Sequence, residues 1–152
     1  MLVKELMSRG LVMIGPKESC LDAVVRMQRA HVRHLPVVNQ DGSLVGIITD
    51  RDLRHHLFTP RVLEAMGSTP LDVLLDGVRV AEIMSTEVVT VAADATLVAA
   101  ADTLRKHRVG SLPVIEQGRL VGIVTEVDIL RRIGRTDTTS VPECAEVIVS
   151  YP

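Results

Sequence analysis

Two stretches of the chain repeat one chemical arrangement, LVGIITDRD at 44–52 and LVGIVTEVD at 120–128. Each runs an apolar stretch into a glycine, two aliphatics and a threonine, with an aspartate three residues further on. Thr49 with Asp52, and Thr125 with Asp128, can do one of two things. As a capping box, the threonine oxygen accepts from the third backbone N–H of a helix while the acid reaches back to the threonine N–H. Alternatively, the hydroxyl and carboxylate stand at the edge of a pocket and face a ligand. Two details favour the pocket. A capping box prefers the longer Glu or Gln, and both copies carry Asp. Both copies also place a glycine, Gly46 or Gly122, three residues before the threonine, where a missing side chain lets a ligand approach the backbone.

The elements that must position these groups are themselves duplicated. VKELMS (3–8) returns as VAEIMS (80–85), an offset of 77, which also carries Val12 to Val89, Ile14 to Val91, Met27 to Leu104 and LPVV (35–38) to LPVI (112–115). NQDGS in the first copy answers to EQGR in the second, and the offset becomes 76 for Gly46 and Gly122, Thr49 and Thr125, Asp52 and Asp128. A one-residue difference inside a glycine-containing turn is a tolerated hairpin deletion.

Each copy predicts the same elements. A short helix (near 3–7 and 80–84) leads into a strand around Leu11–Ile14 and Val88–Val91. A helix follows, with Leu21, Val24, Val25 and Met27 apolar in the first copy and an alanine-rich 95–105 in the second; Ser19 and Thr96 lie near its start, and Asp22 adds an acid to the first turn. LPVV, a turn at Asn39–Ser43 and LVGII then read as a hairpin, and a last helix begins near Asp50 and Glu126. The fold class is α/β, β-α-β-β-α twice. A three-stranded unit with helices on one side leaves apolar surface uncovered, which two copies resolve by packing around a pseudo-twofold axis. The boundaries are 1–56 and 80–133 for the repeats, 57–79 for a helical connector and 134–152 for a C-terminal tail. Within the connector we expect a short helix around Arg61–Met66, a turn at Gly67–Pro70 and a helical Leu71–Leu75. VIVSY (147–151) reads as a strand.

Composition excludes several functions. Among 152 residues only Tyr151 and Phe58 are aromatic, so no platform exists for stacking single-stranded nucleic acid. A net charge of −2 also argues against a general nucleic-acid binder. Cys20 and Cys144 form no CxxC or Cys/His cluster and read as plain thiols of a cytoplasmic protein. No apolar run approaches the roughly 18 residues of a membrane span. His31, His34, His55 and His56 show no i, i+4 pair with a third ligand, so no metal site is expected. Met7, Met27, Met66 and Met84 read as adaptable core fillers.

VKELMS/VAEIMS, HLPVV/SLPVI and GIITDRD/GIVTEVD, duplicated in order over residues 1–132, resemble the cystathionine-β-synthase (CBS) domain pair, or Bateman module. The connector VLEAMGSTPLDVLL is similar to that of bacterial acetoin-utilisation-type CBS proteins. The resemblance implies a non-catalytic regulatory module binding an adenine nucleotide (AMP, ADP, ATP or a related adenosyl ligand), a flat homodimer, and a regulated protein partner that the sequence does not name. It implies that the aspartate accepts from both ribose hydroxyls while the threonine contacts ribose or phosphate, beside a helix N-terminus that favours the anion. Each site is then built across the repeats. Site A takes Thr49, Arg51 and Asp52 with Val89, Val109 and Gly110; site B takes Thr125, Val127 and Asp128 with Val12, Val32 and Arg33. The aliphatics sandwich the adenine.

Charge distinguishes the two sites. Site A has Arg51, with Arg54 and His55 one turn on. Site B has Arg33 and His34, but its helix start adds Glu126 and no cation. Arginine's fork matches phosphate, so site A is expected to take di- or triphosphates and site B a monophosphate or an uncharged adenosine group; solvated helix faces are the alternative reading of these arginines. Two rival functions remain: an interaction scaffold whose motifs serve only as caps, and a nucleotide hydrolase, for which the sequence supplies no positioned base and metal.

Overall fold

The computed structural model describes residues 1–57, 59, 64, 67 and 69–136. After a 3-10 turn at Val3–Glu5 the elements run α1 (Cys20–Ala30), β1 (His34–Val38), β2 (Leu44–Thr49), α2 (Asp50–Leu57), α3 (Leu71–Asp76), α4 (Val80–Ile83), β3 (Val91–Ala92), α5 (Leu97–His107), β4 (Ser111–Glu116), β5 (Arg119–Thr125) and α6 (Glu126–Thr136). Apart from Glu64, the helix expected at Arg61–Met66 lies outside the described residues, as does the strand at 147–151.

Both hairpins form in the same register. His34 sits opposite Thr49 and Ser111 opposite Thr125, and each pair of strands shifts register at the same place, between Val37 and Val38 and between Val114 and Ile115. The second turn is the tight one. Gln117 (φ 49°) and Gly118 (φ 75°) both take the positive angles of a two-residue type I′ turn, whereas the extra residue of the first copy widens its loop to 39–43, with Gly42 at φ 83°. Ser19 and Thr96 cap α1 and α5, their hydroxyls accepting from the N–H of Asp22 and Ala99, each at 3.1 Å.

The first strand of each copy is shorter than its sequence suggests. β3 starts at Val91, not Val88, and pairs parallel with β4. In the first copy the strand expected at Leu11–Ile14 reduces to one bridge between Ile14 and Val37. The residues before these points are occupied in crossing from one repeat to the other.

That crossing organises the molecule. Val3 and Lys4 donate their N–H groups to the carbonyls of Ala95 (2.8 Å) and Ala93 (2.9 Å), so the chain's first turn lies on the second repeat. Val80 and Ala81 donate to Glu18 (2.9 Å) and Pro16 (3.0 Å), so α4 lies on the first. Two cores result. One gathers Ile14, Ala23, Leu35, Val37 and Ile48 with Val80; the other gathers Ala100, Leu112, Val114 and Val124 with Val3. Val3 and Val80 are fully buried, and each such side chain is worth about 1.5–3 kcal/mol. Leu75 of α3 joins the first core, which ties the connector to repeat one. Cys20 is buried there, and desolvation, with the charge of Glu82, pushes its thiol up to about 11. No helix among the described residues is long and apolar enough to cross a membrane.

Candidate functional site

Each Thr–Asp pair stands where the second hairpin strand becomes a helix. Thr49 donates its N–H and its hydroxyl to Asp52 Oδ2, both at 2.8 Å, and Asp52 N–H donates back to Thr49 Oγ1 at 3.1 Å. Thr125 and Asp128 repeat the pattern at 2.9, 2.7 and 3.2 Å. The capping box is therefore present in both copies, and the expectation that aspartate is too short for it is corrected. One carboxylate oxygen serves both threonine donors, so the short side chain suffices. Ser19 and Asp22 form the same box at the start of α1.

The motif glycines are also corrected. What approaches Gly46 is not an open path for a ligand but Met84, whose Sδ lies 2.5 Å from where a Cβ would stand. Met7 Sδ takes the same place, 2.5 Å from a Cβ on Gly122.

Two cavities open between the repeats, within the roughly 300–1,000 Å³ range of small-molecule sites. Cavity A, about 980 Å³, is lined by Thr49, Arg51 and Asp52 from repeat one and by Val89, Val109 and Gly110 from the second half of the chain. Cavity B, about 360 Å³, is lined by Thr125, Val127 and Asp128 together with Val12, Val32 and Arg33. The residues assigned to each site from sequence thus come together, each set drawn from both halves of the chain.

The charge assignments need revision. Arg33, His34 and Glu126, expected at site B, and Gly110, expected at site A, line both cavities, so these four form a shared wall. The wall is set by backbone pairing: Asp50 N–H donates to the Arg33 carbonyl and Glu126 N–H to the Gly110 carbonyl, each at 3.1 Å. Asp50 and Glu126, the first residues of α2 and α6, both line cavity A, and helix N-termini favour anions. Site B also gains a cation that the sequence reading denied it. Arg131, three residues after Asp128 on the same helical face, lines cavity B, and helical spacing would have found it.

Cavity A gains Arg105 and Arg108 from the end of α5, with Arg108 in the left-handed conformation (φ 54°) that ends the helix. His55 is not among its lining residues. Arg54 is engaged with Asp50 at 3.2 Å and Arg105 with Asp102 at 2.9 Å. Arg33, Arg51 and Arg108 make no ion pair among the described residues. Cavity A therefore presents three guanidinium groups with no ion pair among the described residues. His34, half-buried in the shared wall, has its pKa pushed below the ordinary 6.5, chiefly by desolvation and further by Arg33, against the pull of Asp50, Glu126 and Asp52.

The CBS domain family profile matches residues 3–59 and again 80–135. A CBS domain-containing protein of Dictyostelium discoideum is 40% identical over 131 residues, 85% of this chain and 88% of that one. A homoserine O-acetyltransferase of Methanosphaerula palustris is 33% identical over 88% of this chain but only 24% of its own length. The solved CBS domain pair of protein MJ0100, in complex with 5′-methylthioadenosine and S-adenosyl-L-methionine, superposes with a TM-score of 0.72 at 28% identity, covering 90% of this chain and 98% of that one. A Vibrio cholerae protein ascribed to acetoin utilization superposes with a TM-score of 0.70 at 29% identity, covering 90% and 93%. Two matched copies, in the order the duplicated motifs require, mean that the chain belongs to the CBS domain family as a tandem pair.

Proposed function

We propose that this CBS pair is a non-catalytic regulatory module that binds an adenine nucleotide or a related adenosyl ligand in its two clefts. One observation carries the reading: each Thr–Asp pair faces aliphatic residues from the other half of the chain across a cavity. In this reading Asp52 and Asp128 accept from the ribose hydroxyls, Val89 and Val109 in cavity A and Val12 and Val32 in cavity B hold the adenine, and the arginines receive phosphate. The adenosyl ligands of the MJ0100 pair support that choice of class. Occupancy changes the angle between the repeats, and a partner protein reads that angle.

The module acts as a homodimer. Val98 on α5 is 79% exposed and lines neither cavity, and Leu130 and Ile133 on α6, which border cavity A, are 64% and 54% exposed, more apolar surface than two neighbouring helices ordinarily leave in water. The alanine-rich face of α5 lets a second helix approach closely.

A second reading has its own observation. Both capping boxes are complete without a ligand, as a scaffold with vestigial sites requires. A thermal-shift screen over AMP, ADP, ATP and S-adenosylmethionine separates the two, because a ligand at 100 times its dissociation constant adds about 2.7 kcal/mol. No shift with any of them favours the scaffold. Turnover of the same nucleotides would make the module an enzyme.

A further inference from the structure

Each cavity has one wall whose two ends belong to different repeats. Ser85–Val89 enters cavity A, omitting only Thr86 from its lining. Its first residue is stapled to β2 of repeat one, Ile47 N–H donating to Ser85 O at 3.0 Å and Ser85 N–H to Ile47 O at 2.9 Å. Its far end becomes β3 and pairs with β4 of repeat two. The staple lies two residues before Thr49, and Met84 packs against Gly46 beside it. A Cβ on Gly46 would meet Met84 Sδ at 2.5 Å and the Ser85 carbonyl at 3.1 Å.

Cavity B is built alike. Ser8, Gly10 and Val12 line it. Ser8 N–H donates to Ile123 O at 2.9 Å and Ile123 N–H to Ser8 O at 3.1 Å. A Cβ on Gly122 would meet Met7 Sδ at 2.5 Å and the Ser8 carbonyl at 3.0 Å. Within these two wall segments, the straps Ser85–Val89 and Ser8–Val12, Val88 N–H turns back to the Thr86 carbonyl at 3.1 Å and Leu11 N–H to the Arg9 carbonyl at 2.9 Å.

We propose that the Gly46–Met84 and Gly122–Met7 contacts are latches that position these straps, so that each latch sets the affinity of one cavity and not the other. Neither glycine lines a cavity; both are positioning residues. The missing side chain lets the other half of the chain seat its methionine against the strand that carries the threonine. The strap then reaches the cavity in register with the Thr–Asp pair, and a change of angle between the repeats is taken up beyond the staple, in residues 86–90 and 9–13. The affinity part rests on the reading of both clefts as adenosyl sites.

The test uses the full chain with Gly46→Ala, Met84→Ala and Gly122→Ala, and two measurements. The first is hydrogen exchange without ligand. Gly46→Ala is expected to quicken exchange at the Ile47 and Ser85 amides and leave Ser8 and Ile123 unchanged; Gly122→Ala reverses the pattern. Met84→Ala, which loosens the latch instead of crowding it, matches Gly46→Ala and covers the case in which the alanine prevents folding. The second is titration with AMP and S-adenosylmethionine, with cavity A identified as the site lost in Asp52→Ala and cavity B as the site lost in Asp128→Ala. Gly46→Ala should weaken cavity A about tenfold, as expected when overpacking displaces a site wall, and leave cavity B unchanged. Unchanged exchange, equal weakening of both cavities by either substitution, or quicker exchange with unaltered affinity each overturns the proposal. A wild-type chain that binds neither probe overturns the adenosyl reading and the affinity part with it, and exchange then decides the latch itself.

Discussion

Asp52 holds the Thr49 amide and hydroxyl through a single oxygen, Oδ2, at 2.8 Å each, and no hydrogen bond among the described residues reaches its Oδ1. Asp128 treats Thr125 the same way. One carboxylate can therefore cap a helix and still accept from a ligand.

That double duty sets the first prediction. Asp52→Ala and Asp128→Ala should each cost about 1 kcal/mol of stability, as lost caps do, and about 2–3 kcal/mol of adenosyl binding at their own cavity, as lost charge-assisted bonds do. Asp22→Ala is the control, since it removes the same box from α1 but lines neither cavity. It should lower stability alone. Denaturation and calorimetry on the three variants separate cap from clamp; equal nucleotide affinity in all three leaves only the cap.

Charge supplies the second. Cavity A presents Arg33, Arg51 and Arg108, which make no ion pair among the described residues, while Arg33 also borders cavity B. Arg51→Ala should weaken ATP far more than AMP, at cavity A only, because each added phosphate gains more from a cation. Arg33→Ala should weaken both cavities. Raised salt should narrow the ATP–AMP difference. Titrations at two ionic strengths check this, and identical profiles for the two variants count against it.

The shared wall gives a pH dependence. Burial holds His34 below the ordinary 6.5, so the folded protein keeps it neutral where the unfolded chain takes up a proton. The stability contributed by His34 is full above about 6.5 and is lost as pH falls from there through the depressed value. His34→Gln should flatten this part of the profile. Urea denaturation of both proteins between pH 7.5 and pH 5 (an interval around the ordinary histidine value) reads the difference in slope. Arg33, Asp50, Asp52 and Glu126, the charged groups that act on His34, are present in both proteins.

Oligomeric state is checked by one surface change. The wild-type chain should sediment as a dimer of about 33 kDa, twice its 16.6 kDa. Val98→Asp, placed on the exposed face of α5 and outside both cavities, should shift it to the monomer without loss of adenosyl binding. A wild-type monomer at tens of micromolar removes the dimer from the proposal.

Much of this architecture was legible because it was written twice. The hairpins, the helix starts at Asp50 and Glu126, and the caps Ser19 and Thr96 follow from local patterning that the second copy repeats. The lining residues followed from the same duplication together with the family resemblance. What escaped was whatever depends on which segment touches which. Nothing in the sequence near Gly46 shows that Met84 packs against it, and a glycine at that place reads equally as an opening for a ligand. Side-chain length alone does not give the reach of Asp52, because the Thr49 hydroxyl and amide turn toward the same oxygen. Arg131 stands three residues past Asp128, beyond the TEVD stretch that marks the helix start and carries no cation.

Val3 and Val80 complete each other's cores, and this bears on how such a chain arose and how it comes apart. A lone ancestral repeat could have filled its interior only by lending its leading segment to a second molecule and borrowing one in return. Fusing two such molecules end to end would make that loan permanent. Neither half of the present chain then owns a complete interior, so the two should melt as one unit, and separating them should leave each half needing the other in trans.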